Sequence, residues 1–207
     1  MSLPASPATP RLGAPALQPL APRPEVLAFL ATRRSRPART LDETPPDRET
    51  LETMLTIAAR TPDHGKLEPW RFVVADRAAM AGLAKTAAAR TGALGLDAEA
   101  AEKAVRSFSY GGLIVTVLAS PRPSAKIPEW EQALSAGAVC LALLNAALAS
   151  GWGANWLTGP FARDRVFLEA LGARPGEYAA GFIHMGRETA LPPERPRPDM
   201  EAITTWL

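Results

Sequence analysis

Two short segments carry guanidinium groups that could bind a phosphate. Arg33-Arg34-Ser35 follows a predicted helix and offers two guanidinium groups and a hydroxyl, which together provide charge and directed hydrogen bonds. The tripeptide alone is equally typical of a solvated basic helix end, where cations interact favourably with the helix dipole. Gly186-Arg187 follows the last predicted strand and could add one more cation to the same anion.

A polar loop precedes the first predicted strand. Between Pro62 and Trp70 it carries His64, Lys66 and Glu68. Polar loops held between rigid elements commonly contact ligands, although an ordinary surface loop anchored by a tryptophan has the same composition. The loop could therefore be either a ligand-binding segment or an ordinary surface loop.

A glycine-rich segment, Gly151 to Gly159, surrounds a short predicted strand. Glycines allow a backbone to approach a flat ligand, and amides at a strand end can hydrogen-bond a ring edge. A dinucleotide fingerprint is excluded by the spacing, because a third glycine in register is missing and no helix is predicted directly afterwards. A helix C-cap followed by a tight turn remains the simpler alternative.

The composition excludes several classes of chemistry. The 207 residues include one cysteine and two histidines, which exclude an intrachain disulfide and a His-rich metal centre. Cys140 lies in an Ala/Leu-rich stretch and is predicted to be a small buried hydrophobe. The net charge is +2 and the basic residues are dispersed, so nucleic-acid binding is not expected.

Hydrophobic periodicity predicts an α+β pattern with three or four strands, interrupted by many helices. Residues 1–24, rich in Pro and Ala, are predicted to be a disordered or extended leader, and residues 25–207 a single domain. The predicted helices are Glu25–Arg33, Leu51–Ala58 with Asp47 as N-cap, Arg77–Ala89, Asp97–Ser107, Glu129–Ser150 and Arg163–Leu171. The predicted strands are Trp70–Val74, Leu113–Ala119, Gly153–Trp156 and Ala179–Met185.

The helix Glu129–Ser150 is apolar nearly all round, which predicts a buried position at the centre of the domain. Its most membrane-like part, Ala133–Leu148, falls short of the roughly 20 apolar residues that a span needs. We therefore expect no membrane partner. The single cysteine fits a reducing compartment, so a cytoplasmic location is expected.

These features, in this order, resemble the nitroreductase family. The resemblance runs from about Glu25 to Arg187 and includes Thr61-Pro62 at a helix end, Pro69-Trp70 entering a strand, and the long Ala-rich helix. Further matches, Pro62-Asp63-His64, Trp130-Glu131-Gln132 and Ser135-Ala136-Gly137, are similar to the small YdjA-type subgroup.

The resemblance implies an α+β fold around a mostly antiparallel sheet and a homodimer with FMN at the interface. By position it assigns the FMN phosphate and ribityl chain to Arg33, Arg34, Ser35 and Arg187, and the isoalloxazine ring to Trp156, Leu157 and Thr158. Arg60 and His64 would reach an FMN shared with the partner subunit. The C-terminal arm, ending in Trp206, would embrace that partner.

The activity implied is NAD(P)H oxidation by ping-pong hydride transfer through FMN to a nitroaromatic, a quinone or a similar electron-poor acceptor. No protein nucleophile is required, so no catalytic side chain is assigned. Alternatives are another reaction on the same fold, namely dehydrogenation, reductive dehalogenation or flavin breakdown, or a flavin-binding protein without turnover.

The chain departs from many members of the family at two positions. His64, Lys66 and Glu68 occupy a loop that is usually Ser-rich with a flavin-contacting asparagine, and Pro37 stands near the place of a flavin-contacting lysine. The cation beside the N1/C2 edge of the ring is left open among Arg34, Arg36, Arg39 and Lys66. His64 is interpreted as a ring contact, with proton donation to the acceptor as the alternative.

Overall fold

The computed structural model describes residues 19–207, so most of the predicted leader lies outside the described residues. Residues 19–23 have no regular structure. The helices are α1 (Pro24–Thr32), α2 (Arg48–Ala58), α3 (Arg77–Arg90), α4 (Ala98–Arg106), α5 (Glu129–Ala149), α6 (Arg165–Ala170) and α7 (Met200–Ile203). The strands are β1 (Trp70–Asp76), β2 (Leu113–Ala119), β3 (Gly153–Leu157) and β4 (Tyr178–Gly186).

The four strands form one sheet in the order β1-β2-β4-β3, and every neighbouring pair is antiparallel. The predicted α+β class and antiparallel sheet are confirmed. All seven residues of β2 are buried, as expected for a continuous apolar run at the centre of a sheet. Strand β3 is an edge strand, and it carries the glycine-rich segment.

Aspartate caps determine where several helices begin. The Asp47 carboxylate accepts a hydrogen bond from the Thr50 backbone amide, which confirms the predicted N-cap of α2. Asp164 caps α6 in the same way, so this helix begins at Arg165 rather than at the predicted Arg163. The short helix α7, capped by Asp199, was not predicted because four residues are too few to show a helical period.

One face of the sheet is covered by α3, α4 and α6, and we call it the phenylalanine face. Its core contains four aromatic rings whose centroids lie 5.0–6.2 Å apart in the five neighbouring pairs, namely those of Phe108, Phe161, Phe167 and Phe182. At one end of this face the Arg71 guanidinium forms a two-pronged ion pair with Glu177, at 2.7 and 2.8 Å. The four rings are buried beneath these helices, although a cavity borders three of them between α4 and the sheet.

The opposite face is covered by α2 and α5, and we call it the α5 face. Helix α5 buries one side against β2, β3 and β4, including Val139, Cys140 and Leu143. Gly181 on β4 has no room for a side chain, because a Cβ there would lie 2.2 Å from the Trp156 indole nitrogen. The helix and the sheet are thus packed at close range on this side.

The predicted central position of α5 is confirmed, but the helix is buried on one side only in the single chain. Trp130, Leu134 and Leu141 are 62%, 65% and 45% exposed. The apolar side chains of α1 are similarly uncovered, since none of the residues of that helix is buried in the described chain. Length and composition cannot show which apolar side chains the same chain covers.

Helix α5 corrects the expectation that its apolar stretch is too short to span a membrane. It has 21 residues, and the mean hydropathy of its most apolar 18-residue window is 1.7, so by length and composition it could cross a membrane. The core helix of a soluble domain has the same properties, and part of α5 is buried against the sheet.

Candidate functional site

The segment Arg33-Arg34-Ser35 lies against the beginning of the edge strand β3. After α1 ends, the backbone amide of Arg36 donates to the Ala154 carbonyl at 2.9 Å. The Asn155 side-chain amide donates to the Arg36 carbonyl at 2.8 Å. These two hydrogen bonds hold the tripeptide beside β3, so α1 delivers its two guanidinium groups to one defined place.

The two guanidinium groups have unused donors. The Nε atoms of Arg33 and Arg34 are buried and have no hydrogen-bond partner in the described chain. Arg33 donates to the Ser35 hydroxyl at 2.9 Å, whereas Arg34 makes a long contact with the Ser35 carbonyl at 3.4 Å. A buried charged donor without an acceptor is costly, so this arrangement favours a bound anion.

A cavity of about 330 Å³ adjoins these donors. Its wall is formed by α1, the carboxyl end of α5 and the beginning of β3, and the lining residues are Phe29, Thr32, Arg33, Arg34, Arg36, Leu148, Gly151, Trp152, Gly153 and Glu188. We call it the basic cavity. It offers the space that an anion needs beside the unused guanidinium donors.

The surroundings of Arg33 are strongly positive. Burial lowers the pKa of Arg33 below its usual value, and the positive charges of Arg197, Arg195, Arg34 and Arg36 lower it further. The sequence analysis did not identify Arg195 and Arg197, because they lie in the Pro-rich C-terminal segment far along the chain. A phosphate would offset this repulsion, since opposite charge stabilises the protonated form.

Arg187 lies at the same end of β3. Gly186 pairs with Gly153, and the Arg187 guanidinium carbon lies 3.9 Å from the centre of the Trp152 ring. The Arg187 backbone amide donates to the Asp42 carboxylate at 2.9 Å. The structure therefore brings Arg187 and the Arg33 segment to one end of the edge strand, as the sequence analysis expected.

The predicted ring-side residues lie at the other end of β3. From Gly153 to Thr158 the strand advances roughly 16 Å. The Trp156 indole is partly buried against the core and donates to the Ala180 carbonyl at 3.3 Å. Leu157 is half-buried and Thr158 is exposed.

Thr158 lies between two cavities. One, of about 540 Å³, is open and borders Ala133 and Gly137 of α5. The other, of about 320 Å³, lies between α4 and the sheet and also borders Leu157. We call the second one the α4 cavity. Space for a flat group therefore exists beside the predicted ring-side segment.

Arg60 and His64 lie near the opposite end of α5. His64 Nδ1 is 2.7 Å from a carboxylate oxygen of Glu131, and the Ser135 hydroxyl donates to the Pro62 carbonyl at 2.8 Å. Arg60 is exposed just after α2. These contacts anchor the loop to the amino-terminal part of α5.

A single chain does not bring all the predicted residues together. Glu131, which holds His64, and Leu148, which lines the basic cavity, are 17 residues apart on α5. At 1.5 Å per residue this is about 25 Å. His64 and Arg33 therefore cannot contact the same phosphate or the same ring edge within one chain.

Two other reactive residue types are held in the core. Burial raises the pKa of the Cys140 thiol to about 12, which agrees with its predicted role as a buried hydrophobe. His184 is 1% exposed, and burial lowers its pKa to about 4 although the Tyr110 carbonyl opposes this shift. Among residues 19–207 no cluster of three or more His, Cys, Asp or Glu could hold a metal ion.

Comparisons with known proteins agree with this architecture. The chain is 34% identical over 162 residues to YdjA of Escherichia coli K12, a protein provisionally named an NAD(P)H nitroreductase, covering 78% of this chain and 87% of the relative. A protein of Haemophilus influenzae with the same provisional activity name is 32% identical over 163 residues, covering 78% and 88%.

Solved structures share the fold at lower identity. A nitroreductase-like protein from Bacillus cereus superimposes with a TM-score of 0.74 at 18% identity, covering 93% of this chain and 99% of the other. A nitroreductase with bound FMN from Bacteroides fragilis gives a TM-score of 0.67 at 20% identity, with coverages of 84% and 95%. The sequence pattern of the Nitroreductase family matches residues 30–187, so this chain belongs to the nitroreductase family.

Proposed function

We propose that this protein is an FMN-dependent NAD(P)H oxidoreductase whose acceptor is a nitroaromatic, a quinone or a similar electron-poor molecule. Two curated relatives carry the provisional name NAD(P)H nitroreductase. Two solved structures of the same fold, from Bacteroides fragilis and Desulfovibrio desulfuricans, contain bound FMN. These relatives support the cofactor and the electron donor.

The observation that carries the proposal is the pair of unused Nε donors on Arg33 and Arg34 beside the basic cavity. A terminal phosphate is the group that such donors fit, because guanidinium groups bind phosphate oxygens through charge-assisted hydrogen bonds. The edge strand β3 leads from this cavity to Leu157 and Thr158, where there is space for a flat group. The residues therefore fit a long ligand with an anionic end.

When bound, FMN would accept a hydride from NAD(P)H and pass the electrons to the acceptor. The chain has a separate task, which is to bind and orient the cofactor. Arg33, Arg34 and Ser35 would hold the phosphate and ribityl chain, with Arg187 beside them. The backbone from Trp156 to Thr158 would lie along the ring.

A homodimer is part of the proposal. The uncovered apolar side chains of α5, such as Leu134, form a surface that a second copy would bury. Trp206, in the C-terminal arm, is 90% exposed and is proposed to pack on that copy. In this dimer Arg60 and His64 would reach the partner's flavin. This would explain why the end of α5 that holds His64 lies about 25 Å from the basic cavity of the same chain.

The first test is an absorbance spectrum of the purified protein, recorded before and after anaerobic addition of NADPH or NADH. A flavin spectrum that bleaches supports the oxidoreductase, and steady-state kinetics with a nitroaromatic and a quinone should then give a ping-pong pattern. A flavin that stays oxidised favours a flavin-binding protein without this turnover. Absence of flavin after adding FMN contradicts the proposal. A cytoplasmic location stays a prediction, which fractionation of cells would test.

A further inference from the structure

The α4 cavity has a largely apolar and aromatic wall. Its volume of about 320 Å³ is within the usual range for a small-molecule site. It borders three members of the aromatic core, Phe108, Phe161 and Phe182, and aliphatic residues such as Leu96 and Leu157. Aromatic rings pack favourably against such a wall, because paired rings gain energy beyond the burial of their surfaces.

The α4 cavity lies on the opposite face of the sheet from α5. Phe182 pairs with Leu157 across β3 and β4. Because side chains alternate between the two faces along a strand, Phe182 and His184 point to the phenylalanine face. Trp156 and Ile183, one position along, pack instead with the core beneath α5. The α4 cavity is therefore a different space from the basic cavity and from the open cavity that borders α5.

His184 supplies one hydrogen-bond acceptor to this wall. Its Nδ1 lies 3.2 Å from the Tyr110 carbonyl oxygen, which can only accept, so Nδ1 carries the proton. Burial lowers the pKa of His184 to about 4, and the ring is consequently uncharged at neutral pH. Nε2 is then unprotonated and can only accept a hydrogen bond.

The acceptor atom His184 Nε2 is unused. No residue among 19–207 donates to it. The residue is 1% exposed, yet Nε2 is not one of the fully buried polar atoms that lack a partner, so the small accessible part of the side chain includes Nε2. That part borders the α4 cavity. The Ser107 hydroxyl, which also belongs to the wall, already donates to the Ala104 carbonyl at 2.7 Å.

We propose that the α4 cavity binds a small aromatic molecule with a hydroxyl group, such as a phenol or a naphthol, and that His184 Nε2 accepts the hydrogen bond from this hydroxyl. This inference goes beyond the proposed function, because the site lies on the other face of the sheet and requires no flavin. The rings of the ligand pack against the phenylalanines. The single acceptor selects molecules that carry a donor, because a ligand without one leaves Nε2 unpaired.

The test uses fluoronaphthol as the probe, with its methyl ether as the matched ligand that keeps the rings and the oxygen but lacks the donor. Fluorine NMR measures the dissociation constant of each in the purified protein, with and without saturating FMN. We expect the naphthol to bind about tenfold more tightly than the ether, which is the size of effect that one buried hydrogen bond produces. Equal affinities, or displacement of the naphthol by FMN, would overturn the inference.

Three variants locate the probe. His184→Phe removes the acceptor and should make the naphthol and the ether bind equally. Ala104→Phe places a ring in the cavity from the half-buried side of α4 and should abolish binding of both. Ala98→Phe, exposed on the same helix and outside the wall, is the control and should change neither.

Two results separate this inference from the proposed function. Unchanged naphthol binding in Ala104→Phe would place the probe elsewhere and would overturn the inference, whatever FMN does. If the unaltered protein binds the naphthol in preference to the ether and fails to bind FMN, the proposed function is wrong and the site in the α4 cavity stands.

Discussion

The two faces of the sheet differ in whether one chain completes them. On the phenylalanine face the chain's own helices bury the aromatic core, and Phe161, Phe167 and Phe182 are at most 3% exposed. On the α5 face the central helix leaves Trp130 and Leu134 more than half exposed. Most of the residues assigned to the cofactor lie along the edge of the sheet or beside α5.

This difference indicates a division of tasks. A closed aromatic core supplies stability without a partner, because it removes large apolar surfaces from water within the chain. A face with uncovered apolar groups and unused guanidinium donors is incomplete, and both features would be satisfied by binding. The following predictions test this division, from the largest expected effect to the smallest.

Phe167→Ala should lower the free energy of unfolding by about 3–5 kcal/mol, because it leaves a hole among the packed aromatic rings. Chemical denaturation followed by circular dichroism measures this loss. The control is Val166→Ala at the neighbouring position, which is 47% exposed and should cost about 1 kcal/mol or less. Similar losses in the two variants would show that this face is not a closed core.

Leu134→Glu should weaken the proposed homodimer by about 3 kcal/mol or more, because it places an unpaired carboxylate in an apolar interface. Sedimentation velocity over a range of protein concentrations measures the association. The far-ultraviolet circular dichroism should be unchanged, since Leu134 is exposed in the single chain. A dimer as stable as the unaltered protein would exclude this side of α5 from the interface.

Arg33→Ala should weaken FMN binding by about 2–3 kcal/mol, the usual contribution of hydrogen bonds to a charged group. Quenching of flavin fluorescence measures the dissociation constant. Riboflavin, which lacks the phosphate, should bind both proteins equally. Arg48→Ala, which removes an exposed arginine paired with Glu52, is the control. Equal weakening of FMN and riboflavin would refute the phosphate assignment.

The double variant Arg195→Gln, Arg197→Gln should weaken FMN binding by about 1 kcal/mol, because it removes two positive charges that act on Arg33 and exposed charges contribute little. The decrease should become smaller as the salt concentration rises. If FMN affinity is unchanged at low salt, the C-terminal segment has no part in binding the phosphate.

Local sequence patterns predicted helices and strands well where a single side chain or a single run of residues determines their bounds. Leu113–Ala119 was predicted with its observed bounds, since a short continuous run of apolar and β-branched residues is typical of a buried strand. Asp47 was identified as a cap from its position before a helical period. The predicted start of α6, Arg163, was two residues too early. The helix begins after its cap Asp164, and Arg163 carries no capping signal of its own.

The candidate site was predicted less completely. Arg33, Arg34, Ser35 and Arg187 were assigned through the family resemblance, and the structure brings them to one end of β3. Arg195 and Arg197 were missed, since isolated cations in a Pro-rich segment look like ordinary solvated charges. Their position relative to the site depends on contacts between segments that are far apart in the chain.

The sequence by itself determined the order of the four strands and of the first six helices, the absence of an intrachain disulfide and the family resemblance, because these follow from local period, composition and ordered motifs. Only the tertiary structure decided which apolar side chains the chain covers and where the cations gather. Burial and charge clustering result from packing between distant segments, and no local pattern encodes them. For that reason the sequence predicted α5 as a central buried helix, and only the structure shows which of its sides the single chain leaves uncovered.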